Sequence, residues 1–120
     1  IDYMKVDMAD VFIAFNQIGY DKHISTVKKD ALILINSTLV ETERESSFRI
    51  PATEMAELKG RPYTVNMIML GALTKLLPKI HYPTVEAEIM ETFSASMATD
   101  NLDAYRQGYE YAAEIAAEQV

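Results

Sequence analysis

The sequence predicts an α/β fold: a mainly parallel sheet with helices on both faces, three layers in all. Two observations lead there. The apolar runs "DVFIAF" (Asp10 to Phe15) and "ALILI" (Ala31 to Ile35) are continuous rather than alternating, as in strands covered on both faces. A stretch of helical periodicity separates them, and parallel neighbours need such a crossover. With 120 residues, of which 49% are hydrophobic, the chain has the material for one core, and residues 1–120 are expected to form a single domain.

The elements follow in order. After the first strand, "NQIGYDKHISTVKK" sets Ile18 or Tyr20, Ile24 and Val27 on one helical face, and Asp30 marks a turn into the second strand. An acidic crossover, "VETERESS", leads to "FRIPA", a third short strand whose proline suits a strand end. From Thr53 the pattern is helical. "TEMAELKGRP" has Thr53 as a capping residue, Glu54 in the first turn, Gly60 where the chain turns left-handed and Pro62 just beyond. "TVNMIMLGALTKLLP" is apolar nearly all round from Val65 to Leu73, so it is expected to be buried on more than one side. "TVEAEIMETF" carries the stripe Val85, Ile89 and Phe93. In "NLDAYRQGYEYAAEIAAEQV" the stripe is Leu102, Tyr105, Tyr109, Ala112 and Ala116, with Asn101 as cap and Asp103 in the first turn.

Composition removes several classes of function. A formal net charge of -7 leaves no basic stripe for a nucleic acid and disfavours anionic membranes. With no cysteine, the chain can form neither a disulfide nor a thiolate-held cluster, and it has no catalytic thiol. No apolar run is long enough to cross a bilayer, so a soluble cytoplasmic protein is expected. The start, "IDYMKVDMADVFIAF", lacks an initiator Met and reaches a buried-type strand almost at once, which reads as a fragment with something before it cut off.

Each predicted strand stops on small polar residues: Asn16 and Gln17, then Asn36, Ser37 and Thr38, then Ala52 and Thr53. In a parallel sheet these residues share the carboxyl edge, where open α/β folds place ligands. Their amides and hydroxyls suit a nucleotide, a pantetheine amide or the backbone of another chain. Asn, Ser and Thr are equally ordinary as helix caps and strand ends, so both readings stay open. Asn66, an amide in the first turn of an apolar helix, needs a partner if buried and is placed behind the same edge. His23 and His81 lack the neighbours of a hydrolytic or metal site, Glu54 and Glu57 suit a helix start, and Met67 and Met69 suit core gaps. No catalytic and no metal-ligating residue is predicted.

The succession "ADVFIAFNQIGYDKH", "LILINSTLV", "IPATEMAELKGRPYTVNMIMLGAL" and "NLDAYRQGYEYA" resembles the gamma subunit of the 2-oxoacid:ferredoxin oxidoreductases, which act on pyruvate, 2-oxoglutarate or 2-ketoisovalerate. "IPAT" followed by "NMIMLGAL" is its most specific piece. Family members begin with a further strand–helix unit bearing a Gly-rich turn, which this sequence lacks. The resemblance implies a Rossmann-like fold and membership of a complex with alpha, beta and in some cases delta subunits. There thiamine diphosphate with magnesium decarboxylates a 2-oxoacid, iron–sulfur clusters pass electrons to ferredoxin, and the acyl group goes to coenzyme A. It implies that this chain binds none of those cofactors alone, and that it braces the catalytic subunits and helps bind coenzyme A. The lining residues would be Asn16, Gln17, Asn36, Ser37, Thr38 and Thr53, with Asn66 behind them. The alternatives are a free-standing nucleotide-binding α/β domain, which would need a Gly-rich first turn, and a purely structural subunit.

Overall fold

The computed structural model describes residues 9–118. The opening segment, and with it the expected missing strand–helix unit, lies outside those residues, as do the last two positions of the predicted C-terminal helix. Three parallel strands, β1 (Ala9–Ala14), β2 (Val27–Asn36) and β3 (Phe48–Ile50), form a sheet in the order β1-β2-β3. Helix α1 (Gln17–His23) connects the first two strands, and α2 (Ala52–Leu58), α3 (Val65–Leu76), α4 (Tyr82–Thr92) and α5 (Ala95–Glu118) follow the third.

The continuous apolar runs are explained by which way alternate residues face. Ile33 and Ile35 of β2 join Ala14, Tyr20, Val27 and Val40 in one core. Leu34 between them joins Ile50, Ala56, Ile68, Met69 and Ala112 in the core on the opposite face. Both faces are covered, so every position in the run is apolar. The faces are covered unequally. One carries α2, α3 and α5, whereas among the described residues the other has α1, a short 3₁₀ turn and residues 37–47, a crossover without a helix.

Three boundaries differ from the sequence expectation. Val27 opens β2 instead of ending a helix, because α1 stops at His23 and a 3₁₀ turn, Ile24–Thr26, follows. Lys28, Lys29 and Asp30 are exposed within the strand, where the register jumps from Ala9↔Val27 to Val11↔Leu32. Asp30 therefore lies in an irregular stretch of strand and not in a turn. Thr53 does not cap α2: the N-cap position is Pro51, which makes no side-chain cap bond. Asn101 is no cap either. Helix α5 begins at Ala95, with the Ser94 carbonyl accepting the Ala98 N–H at 2.7 Å. Asn101 is instead buried inside the helix and donates to the Met97 carbonyl at 2.8 Å, and Asp103 stands clear of the first turn.

Gly60 turns left-handed as expected, with φ 70°. Two other glycines set the helical layer. A β-carbon on Gly71 of α3 would lie 1.9 Å from the Tyr105 carbonyl oxygen, and one on Gly108 of α5 would lie 1.8 Å from that of Ile68. The two backbones therefore touch at reciprocal glycines, an approach that any larger residue prevents.

Candidate functional site

Because the strands are parallel, their carboxyl ends meet on one edge, and Asn36 ties them together. It is 1% exposed. Its amide nitrogen donates to the Phe15 carbonyl at 3.2 Å, beyond the end of β1, and to the Thr53 hydroxyl at 2.8 Å in α2. Its amide oxygen accepts the Thr53 backbone N–H at 3.1 Å, which relieves one of the unpaired donors at the start of that helix. Its backbone carbonyl accepts from Leu39 at 3.0 Å and Val40 at 2.9 Å, turning the chain off the sheet.

The other predicted edge residues are placed around it. Asn16 caps α1 by accepting the Gly19 N–H at 2.8 Å. Gln17 binds the crossover from both sides of its amide, accepting the Glu41 N–H at 2.7 Å and donating to the Glu41 carbonyl at 3.2 Å. The Ser37 N–H donates to the Ile50 carbonyl at 2.8 Å, and the Thr38 hydroxyl accepts the Glu54 N–H at 3.1 Å. Asn16, Gln17, Asn36, Ser37, Thr38 and Thr53 are thus brought to one edge. The Ser37 hydroxyl joins no hydrogen bond among the described residues. Asn66 is exposed in the first turn of α3, and no hydrogen bond among the described residues joins it to the other six.

An open cleft of about 620 Å³ lies beside this edge, lined by Gln17, Tyr20, Asp21, Glu41, Thr42 and Glu43. The Tyr20 and Thr42 hydroxyls are hydrogen-bonded across its floor. Its free charges are acidic, so it disfavours phosphates. Among the described residues no group of three or more His, Asp or Glu side chains could hold a metal ion, and no helix is long and apolar enough to cross a membrane.

Sequence periodicity missed the apolar side chains that project at this edge. Phe15 is 39%, Leu39 52% and Ile18 81% exposed. Of the pair Ile18 and Tyr20, Tyr20 faces the core and packs 6.0 Å, ring to ring, from Phe12. The only available signal was the position of Ile18 in the first turn, directly behind the Asn16 cap.

The sequence profile of the family described as pyruvate ferredoxin/flavodoxin oxidoreductase matches residues 1–111. The chain is 32% identical over 121 residues to the 2-oxoglutarate synthase subunit KorC of Methanocaldococcus jannaschii, covering 96% of this chain and 65% of that protein. It therefore spans just under two thirds of this curated relative. In fold it is similar to the gamma subunit of a keto/oxoacid ferredoxin oxidoreductase from Geobacter sulfurreducens, with TM-score 0.80 at 21% identity over 88% of this chain and 64% of that one. It is also similar to the 2-oxoglutarate:ferredoxin oxidoreductase of Magnetococcus marinus solved with 2-oxoglutarate, coenzyme A and succinyl-CoA bound. There the TM-score is 0.80 at 26% identity, over 93% of this chain and 21% of that one. These likenesses agree with the gamma-subunit resemblance carried by "IPAT" and "NMIMLGAL". The chain belongs to the pyruvate ferredoxin/flavodoxin oxidoreductase family.

Proposed function

We propose that this chain serves as the gamma-type part of a 2-oxoacid:ferredoxin oxidoreductase. In that reaction a 2-oxoacid loses carbon dioxide, its electrons leave for ferredoxin, and the acyl group passes to coenzyme A. The observation that carries this reading is the family match across residues 1–111. The chain has no cysteine for clusters, and among its described residues no group of three or more His, Asp or Glu side chains could hold a metal ion. In this proposal those cofactors are held by the alpha and beta subunits and, where present, the delta subunit. The part left to this chain is to brace those subunits and to meet coenzyme A at the carboxyl edge.

For coenzyme A, the pantetheine arm suits the edge better than the diphosphate, since amides match hydroxyls and the adjoining cleft is acidic. The Ser37 hydroxyl is the group free to bond it, within a frame made by Asn16, Gln17, Thr38 and Thr53, and Asn66 offers an exposed amide from α3. A structural role is favoured for Asn36, because its amide is buried and already has partners on both atoms.

Kinetics of the assembled complex test this division. Ser37→Ala should raise the Michaelis constant for coenzyme A about threefold to tenfold, the scale of one hydrogen bond, with little change in melting temperature. Asn36→Ala should do the reverse. It leaves the Thr53 N–H and hydroxyl unpartnered, which lowers stability by about 1–3 kcal/mol, and the Michaelis constant stays put. An unchanged constant in Ser37→Ala removes coenzyme A from this edge. Full acyl-CoA formation by a complex lacking the chain removes the subunit role.

A further inference from the structure

Polar groups at the carboxyl edge mostly bond one another, whereas three large apolar side chains project there beside the exposed Asn16 and Thr38. Phe15 follows β1 and its carbonyl is held by Asn36, Leu39 donates its N–H to the Asn36 carbonyl, and Ile18 stands in the turn capped by Asn16. Asn36 thus anchors the Phe15 and Leu39 backbones, and Ile18 follows Phe15 by three residues in the turn that Asn16 caps, so their exposed side chains share a neighbourhood. Acidic residues flank it: Asp21, Glu41 and Glu43 line the adjoining cleft, and Glu54 opens α2 beside Thr38.

We infer that this edge is a docking face for a protein surface of complementary build, apolar at its centre and rimmed by lysine or arginine. The occupant is another subunit of the oxidoreductase, so the inference rests on the proposed function and names the side by which the chain is braced. Charge complementarity selects that occupant. A second copy would bring like carboxylates against Asp21, Glu41 and Glu43. Apolar anchors inside a charged rim match the division of labour in protein interfaces, where the centre supplies affinity and the rim supplies steering.

The test uses the whole complex, co-expressed with the affinity tag on a different subunit, with the stoichiometry of this chain read by native mass spectrometry. Ile18→Asp combined with Leu39→Asp should reduce its occupancy at least tenfold, and the milder pair Ile18→Ala with Leu39→Ala should reduce it partially. Met90→Asp, at a comparably exposed methionine on α4, should leave occupancy at the wild-type level and controls for the added charge. Glu41→Lys with Glu43→Lys should slow assembly and weaken its dependence on salt. Wild-type occupancy in the double Asp variant, loss in Met90→Asp alone, or assembly indifferent to the two lysines overturns the inference while leaving the subunit role standing. Loss of self-association with subunit assembly intact assigns the face to a second copy and also overturns it. Absence of the wild-type chain from the complex overturns the subunit role as well.

Discussion

Asn36 holds more partners than a helix cap requires, and that number shows what kind of residue it is. Its buried amide joins the end of β1 to the start of α2 and its backbone carbonyl holds its own turn, so one residue keeps the three strand ends at a fixed spacing. The side chains of Tyr82 and Tyr105 do comparable work between α4 and α5. Their rings stack at 4.7 Å, and the Tyr105 hydroxyl donates to the Tyr82 carbonyl at 3.2 Å. Burial raises both phenols above their usual pKa of 10.0. Above that pH the unfolded chain ionises while the folded chain keeps its protons. The folded state then binds more protons than the unfolded one, and stability falls as pH rises. Urea midpoints should therefore decline above about pH 10. Tyr105→Phe should begin lower, by about 0.5–1.5 kcal/mol for the lost hydrogen bond, and decline less steeply. Parallel declines in the two proteins would show that Tyr105 is not among the groups responsible.

Between elements, the crossing of α3 and α5 is set by backbone contact. Gly71→Ala or Gly108→Ala would place a β-carbon under 2 Å from a carbonyl oxygen of the partner helix. A carbonyl in a helix cannot move aside as a side-chain tip can. Each substitution should therefore cost more than the roughly 1–3 kcal/mol of ordinary overpacking. Gly60→Ala is the contrast, since its β-carbon would meet nothing within 4 Å and only the φ of +70° is unfavourable. Its cost should be about 1–2 kcal/mol. Denaturant titration of the three variants checks the order, and a Gly60 variant less stable than both others would refute the contact argument. Neither crossing glycine could be picked out in the sequence, because glycine inside "MIMLGALTKL" or "YRQGYEYA" marks a close approach without saying to what. The strands were legible, since being covered on both faces leaves a continuous apolar run. The lengthening of β2 to Val27 was not, because Lys28, Lys29 and Asp30 are exposed there and their polarity reads as a turn. The start of α5 was hidden in a similar way. Asn101 has the residue type of a cap, while Ser94 supplies the first helical carbonyl a full seven residues earlier. The shared polar edge could be expected from three strand ends, yet hydrogen-bond partners depend on distances between segments that no spacing encodes.

At the scale of the whole molecule the two faces of the sheet are unequal, and their dynamics should be too. The face under α3 and α5 has a broad core centred on Leu34, Ile50, Ile68 and Met69, closed by the glycine crossing and braced by Arg61, which pairs with Asp100 at 3.4 Å and Asp103 at 3.0 Å. Among the described residues the opposite face relies on the seven residues of α1 and on the helix-free crossover, residues 37–47. That crossover is held largely by side chains reaching backbone carbonyls: Gln17 at Glu41, Arg44 at Lys28, and Arg49 at Thr42, Arg44 and Ser47. Several of these bonds are long and exposed to water, so they open at a smaller cost than a packed core does. Amide hydrogen exchange should therefore resolve two units. One is slow and comprises β2, α3 and the middle of α5, and the other, α1 with residues 37–47, should exchange through a smaller opening. Arg49→Ala should quicken exchange in the second unit and leave the first unchanged, because its bonds all lie within the crossover. Equal acceleration in both units would mean that the two faces open together and that the crossover is as firmly set as the helical layer.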